Sequence, residues 1–182
     1  MKDGKSVFLV IISVLSTVLV IFGGKALYNK YLDYKYKRDY KKDFKEIEYE
    51  KPEKFSKSDD TYSFLSHNYS GDDISCGIYI NSYAKEYYDS KEDILRYISL
   101  QVSNKLTGPE DIDINGYKVK KIIVESNDYS KDTNYYYIFE STNYYYEVEY
   151  FISDYAKGDR TDLDTNPCLT SKDNFLNSIK LK

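Results

Sequence analysis

The sequence predicts an α+β domain, an antiparallel β-sheet covered by helices, set behind an N-terminal transmembrane helix. Three observations carry that expectation. The chain opens on a long uncharged apolar run. Asn115-Gly116 lies between two alternating stretches, the strongest short-range hairpin signal. From residue 52 onward, strand-like patterns outnumber helical ones.

The 182 residues suffice for one ordinary domain and an appendage. With 41% hydrophobic and 31% charged residues, the chain is not a disordered polymer, and a net charge of −4 argues against a general nucleic-acid binder. Tyrosine is heavily used, 23 residues against 8 Phe. Its ring packs like that of Phe while its hydroxyl demands water or a partner.

Residues 1–5 form a short basic tail. Residues 6–24 then read SVFLVIISVLSTVLVIFGG. This is close to the roughly 20 residues a helix needs to cross a bilayer core. Ser13, Ser16 and Thr17 can bond the carbonyls of the preceding turn. The length favours an uncleaved anchor over a cleavable signal, for which Gly24 and Ala26 would supply the small residues. Residues 25–51 are charged, rich in Tyr and free of Gly, which predicts a juxtamembrane helix or stalk ending near Pro52. Orientation is contested. Lys25, Lys30, Lys35, Lys37, Arg38, Lys41, Lys42 and Lys45 follow the segment, and the positive-inside rule would hold that side in the cytoplasm. A short basic tail before an apolar run is also how exported chains begin.

Residues 52–182 make the predicted domain. Strands are expected over 61–65 and 74–83, joined through the turn-rich HNYSGDD, which places His67 in an exposed loop. Ser90 caps a helix in a capping box that uses Asp93 in place of Glu. Ile94, Leu95, Ile98, Val102 and Leu106 mark its buried face, and Gly108-Pro109 end it. Strands follow over 112–114 and 117–125 around Asn115-Gly116, then over 135–140 and 144–153 around Ser141-Thr142-Asn143. A polar loop over 154–166, a short helix over 169–176 and a strand over 178–182 close the chain.

Cys76 and Cys168 are the only cysteines. An even pair in an exported domain predicts one disulfide, and the pairing in turn favours an extracytoplasmic domain. No phosphate-binding loop, zinc-protease helix, nucleophile elbow or C-x-x-C motif occurs, so no catalytic residue, metal ligand or cofactor is assigned. Residues 162–173 (DLDTNPCLTSKD) carry part of an EF-hand oxygen spacing. Pro167 stands where such a loop needs Gly, and Asp173 where it needs a bidentate Glu, so the tract reads better as a solvated loop capping a helix.

The order of elements resembles the Mog1/PsbP-like fold. The resemblance is carried by the helix over SKEDILRYI, the NGYKVKKIIVE hairpin, the YYYIFESTNYYYEVEY hairpin and the C-terminal FLNSIKLK, and it covers about residues 50–182. It implies a binding or scaffolding module rather than an enzyme and carries over no functional residue. The expected function is therefore a single-pass, membrane-anchored, extracytoplasmic interaction domain without enzymatic activity. It would bind a protein or cell-envelope component through sheet tyrosines, with Tyr135, Tyr137, Tyr144 and Tyr146, or their neighbours on the alternate face, as the candidate surface. The alternatives are a cytoplasm-facing subunit of a membrane complex and a calcium-binding or carboxylate-based enzyme domain.

Overall fold

The computed structural model describes residues 43–57, 64–101, 105–126, 129–159 and 161–182. The predicted tail, the anchor over 6–24 and the stalk as far as residue 42 lie outside them. Among the described residues no helix is long and apolar enough to cross a membrane.

Among the described residues nine strands and two helices follow in order: β1 (Ile47–Glu48), β2 (Ser56–Lys57), β3 (Phe64–Ser70), β4 (Ile74–Ala84), α1 (Lys91–Gln101), β5 (Lys105–Ile114), β6 (Tyr117–Ser126), β7 (Lys131–Glu140), β8 (Tyr144–Asp154), α2 (Pro167–Ser178) and β9 (Lys180–Leu181). Seven form one antiparallel sheet in the order β2-β3-β4-β8-β7-β6-β5. The α+β expectation is met, with the sheet dominant.

Strand alternation sorts the side chains onto two faces. The first face carries Cys76, Ile78 and Ile80 of β4, Tyr144, Tyr146, Val148 and Tyr150 of β8, and Tyr137 and Phe139 of β7. It packs against Phe175, Leu176 and Ile179 from the α2 end of the chain and against Ile47 and Phe55. The second face packs Ile122, Val124, Ile138 and Tyr145 against Ile94, Leu95 and Ile98 of α1.

Local chemistry explains the turns and caps. Asn115 and Gly116 both hold positive φ, 53° and 85°, as a tight hairpin turn of this hand requires. The Ser90 backbone N–H and hydroxyl both donate to the Asp93 carboxylate, so Asp serves in the capping box. Asn166 caps α2 by accepting from the Cys168 N–H, with Pro167 in the first turn.

Several boundaries move from their sequence expectation. Residues 43–51 belong to the domain and not to a stalk. Glu46 is buried and accepts from the Ser141 hydroxyl and from the backbone and side chain of Asn143, and β1 pairs with β9. A chain that must reach β9 and the β7–β8 turn cannot continue as a helix. His67 is 5% exposed, lies on β3 rather than in a loop, and shares a hydrogen bond with the Tyr49 hydroxyl at 2.8 Å. Leu65, His67 and Tyr69 alternate onto the first face, so the turn shrinks to residues 71–73. Leu106 is half-exposed on β5 opposite Val124, not on α1, and Gly108-Pro109 lie inside β5 at a register shift.

Candidate functional site

The predicted disulfide is present. Cys76 of β4 and Cys168 in the first turn of α2 are bonded, 92 residues apart and fully buried. It ties α2 to the centre of the sheet. Chain-entropy reasoning for a loop of that length gives roughly 4–5 kcal/mol of stabilisation.

The predicted tyrosine surface is not a surface. Tyr137, Tyr144 and Tyr146 are buried in the first-face core, and Tyr135 is half-buried with the Lys172 ammonium 3.9 Å from its ring centre. The hydroxyls of Tyr144 and Tyr146, and that of Tyr150 beside them, act as hooks for the chain around them. Tyr146 donates to the Asp43 carbonyl, Tyr144 to the Asp43 carboxylate and Tyr150 to the Cys168 carbonyl. Periodicity placed these residues on one face correctly, but composition could not say that residues 43–55 would cover that face.

The 162–173 tract forms no cation cradle. Residues 167–173 are helical, and the Asp162 carboxylate accepts from the Asn166 amide at 2.7 Å. Among the described residues no group of three or more His, Cys, Asp or Glu side chains is placed to hold a metal ion.

The candidate site lies on the opposite face, where Asn134 is the one immediate neighbour of the predicted tyrosines that lines it. Beyond α1, the second face keeps a groove of about 390 Å³ lined by Tyr79, Val124, Ser126, Asp132, Asn134, Glu149, Phe151 and Ser153. The groove follows from register. Tyr79 faces Glu149, which in turn faces Tyr136, and Phe151 lies between Gly77 and Asn134. Gly77 is necessary here, because a Cβ at that position would stand 2.3 Å from the Phe151 ring. The ring lies over the missing side chain and stacks on Tyr79, with centroids 5.6 Å apart and planes 22° apart. One glycine thus seats an aromatic floor on the sheet.

Two carboxylates stand beside that floor. Glu147 and Glu149 are two residues apart on β8 and point to the same face, roughly 7 Å apart along the strand. Glu147 is buried and accepts from the Asn81 amide at 2.9 Å and the Tyr83 hydroxyl at 2.8 Å. Burial nevertheless raises its pKa above the ordinary carboxylate value. Glu149 is half-buried, and desolvation together with the neighbouring Glu147 charge pushes its carboxyl up to about 7, against a hydrogen bond from Tyr136. The Tyr136 phenol is pushed up to about 12, by burial first and the Glu149 charge second. Asp132 lies at the far end, accepting from the hydroxyls of Ser130 and Ser153 at 2.5 and 2.6 Å. The lining is therefore aromatic and acceptor-rich, and among the described residues it includes no Lys or Arg. It can stack a flat or cationic group and hold donors or positive charge. The sequence signal for it was YEVEYF, whose alternation sets Glu147 and Glu149 opposite Val148 and Tyr150 on the other face.

No protein-family model matches the chain, and no curated protein matches it. One solved structure, from Bacteroides thetaiotaomicron VPI-5482, is similar with a TM-score of 0.47 and 10% sequence identity. The similarity covers 75% of this chain and 45% of that one, so the chain spans less than half the length of the protein it matches.

Proposed function

We propose that this protein is a membrane-anchored, extracytoplasmic interaction domain without enzymatic activity, which binds a protein or cell-envelope component in the groove on the second sheet face. The observation that carries the reading is the groove on the second face, which α1 covers only in part, with Tyr79, Phe151, Asn134 and Glu149 around it; the smaller cavity on the first face, about 330 Å³ between β5 and α2, has Lys172 and Lys121 in its lining and no aromatic pair stacked in its floor. The uncharged run over 6–24 supports the anchor, and the Cys76–Cys168 disulfide favours an oxidising compartment. The sheet flanked by helices, in this order of elements, supports the Mog1/PsbP-like fold as its fold family.

The test uses the full chain in the membranes of intact cells. A photo-crosslinking amino acid replaces Asn134 in the groove or, as a control, the exposed Glu48 on β1. Adducts from position 134 alone, on a domain that protease added outside the cells can reach, are expected. No adduct from position 134, or equal adducts from both positions, would overturn the reading.

A further inference from the structure

We infer that the groove takes a basic side chain, the ammonium of a lysine or the guanidinium of an arginine, presented by a partner polypeptide. This inference rests on the interaction reading above and specifies its ligand chemistry.

The groove joins an aromatic floor, Tyr79 stacked on Phe151, to the Glu149 carboxylate and to Asp132 at its far end. Glu147 adds a third carboxylate just behind, already supplied with donors by Asn81 and Tyr83. No ion pair of Glu147, Glu149 or Asp132 with a lysine or arginine is present among the described residues, whereas Glu110, Asp111, Asp113 and Glu125 on β5 and β6 each have one. The same sheet therefore pairs its carboxylates with lysines at the exposed edge and leaves Glu147 and Glu149 without a cation, among the described residues, where burial desolvates them. Two desolvated like charges on one strand repel unless a cation enters or a proton stays. Glu149, pushed up to about 7, holds its proton more readily than an ordinary carboxyl and is left to ionise beside Glu147 as pH rises past that value. A lysine or arginine side chain would offer both what the carboxylates lack and what the aromatic floor favours, since a cation over a ring face is attracted and a partly water-excluded site strengthens that attraction. A neutral sugar would find the floor but would meet mostly acceptors. The groove volume of about 390 Å³ admits one long side chain and its flanking backbone, not a folded domain.

The experiment titrates the full chain in nanodiscs, at pH 8, with a five-residue peptide carrying two lysines between glycines. The same peptide with both lysines acetylated, spermidine, and a neutral trisaccharide are titrated alongside. Binding of the basic peptide, weakened about tenfold or more by lysine acetylation and by Glu149→Gln, is expected. Tyr79→Leu should weaken it too, whereas Lys131→Gln outside the groove should not. Glu149→Gln removes a desolvated charge, so a failure to fold is not its expected effect; a melting curve for each variant checks this. The inference is overturned by any of four results: no binding of the basic peptide, equal binding of the acetylated peptide, equal or tighter binding of spermidine or the trisaccharide, or indifference to Glu149→Gln. If the peptide fails while position 134 still crosslinks a partner, only the cation chemistry falls. If crosslinking fails as well, the interaction reading falls with it.

Discussion

The two faces of the sheet are built from the same strands and differ in how they are finished. On the first face most of the large side chains meet a cover, although a cavity remains beside Tyr137 and Leu176. Tyr146, Tyr150, Phe139 and Phe175 are buried, the tyrosine hydroxyls bond backbone carbonyls, and a disulfide pins the covering helix down. On the second face α1 covers β6 and β7, and the rest of the face is left to Tyr79, Phe151 and two desolvated glutamates. Stability is concentrated on one side and unmet electrostatic demand on the other. That division is expected of a binding module, whose rigid half can tolerate an unfavourable constellation on its working half.

The largest effect should come from breaking the finished face. Replacing Cys168 by Ala, or reducing the disulfide, should cost about 4 kcal/mol in denaturant unfolding, because it frees the 92-residue loop in the unfolded chain. A loss well under 1 kcal/mol would mean that α2 holds the sheet without its covalent tie.

The second face should respond to pH instead. The Glu149 carboxyl stands at about 7 in the fold and at the ordinary 4.5 in the unfolded chain. The folded state therefore binds the proton more tightly. The resulting stability is fully present below about 4.5 and disappears as pH rises through about 7, a swing of about 3 kcal/mol if this group acted alone. Melting curves should accordingly show greater stability at pH 5 than at pH 8, and Glu149→Gln should flatten the difference. Below pH 4.5 the trend should reverse. Glu46, although burial raises its pKa, is held below the ordinary value by its bonds to Asn143 and Ser141, so its contribution is lost on protonation.

Glu46→Ala sharpens the comparison at the chain segment that seals the first face. It leaves the Ser141 and Asn143 donors without their acceptor and should cost about 2 kcal/mol in thermal or denaturant unfolding. The smallest stability effect, about 1–2 kcal/mol, is expected for Gly77→Ala, whose methyl must displace both the Phe151 ring and the Asn68 side-chain oxygen. Its cost to the groove should be larger than its cost to the fold. Chemical shifts of the Tyr79 and Phe151 rings should move while the first-face core stays as it was.

Much of the fold was legible because local signals agreed with tertiary demand. Asn115-Gly116, the Ser90–Asp93 cap and the Tyr144–Asp154 alternation each describe what the residues do in the structure. The errors arose where a distant segment decides. His67 reads as a loop residue until Tyr49 is known to lie beside it, and residues 43–51 read as a stalk until β9 is found pairing with them. The candidate site was half legible. Alternation says that Tyr135 and Tyr137 oppose Tyr136, and Tyr144 and Tyr146 oppose Tyr145 and Glu147, but not which set is covered. Tyrosine abundance pointed to a sticky surface, yet the hydroxyls of Tyr83, Tyr144, Tyr146 and Tyr150 fasten the interior.

The bond between Cys76 and Cys168 also determines how the molecule would behave under tension. A pull applied between the two ends of the domain can peel β1 from β9 and draw out the segments before Cys76 and after Cys168. It cannot lengthen the chain between them. The 92-residue separation corresponds to roughly 300 Å of contour held in reserve. In a single-molecule stretching trace, that length should appear only after a reductant is added.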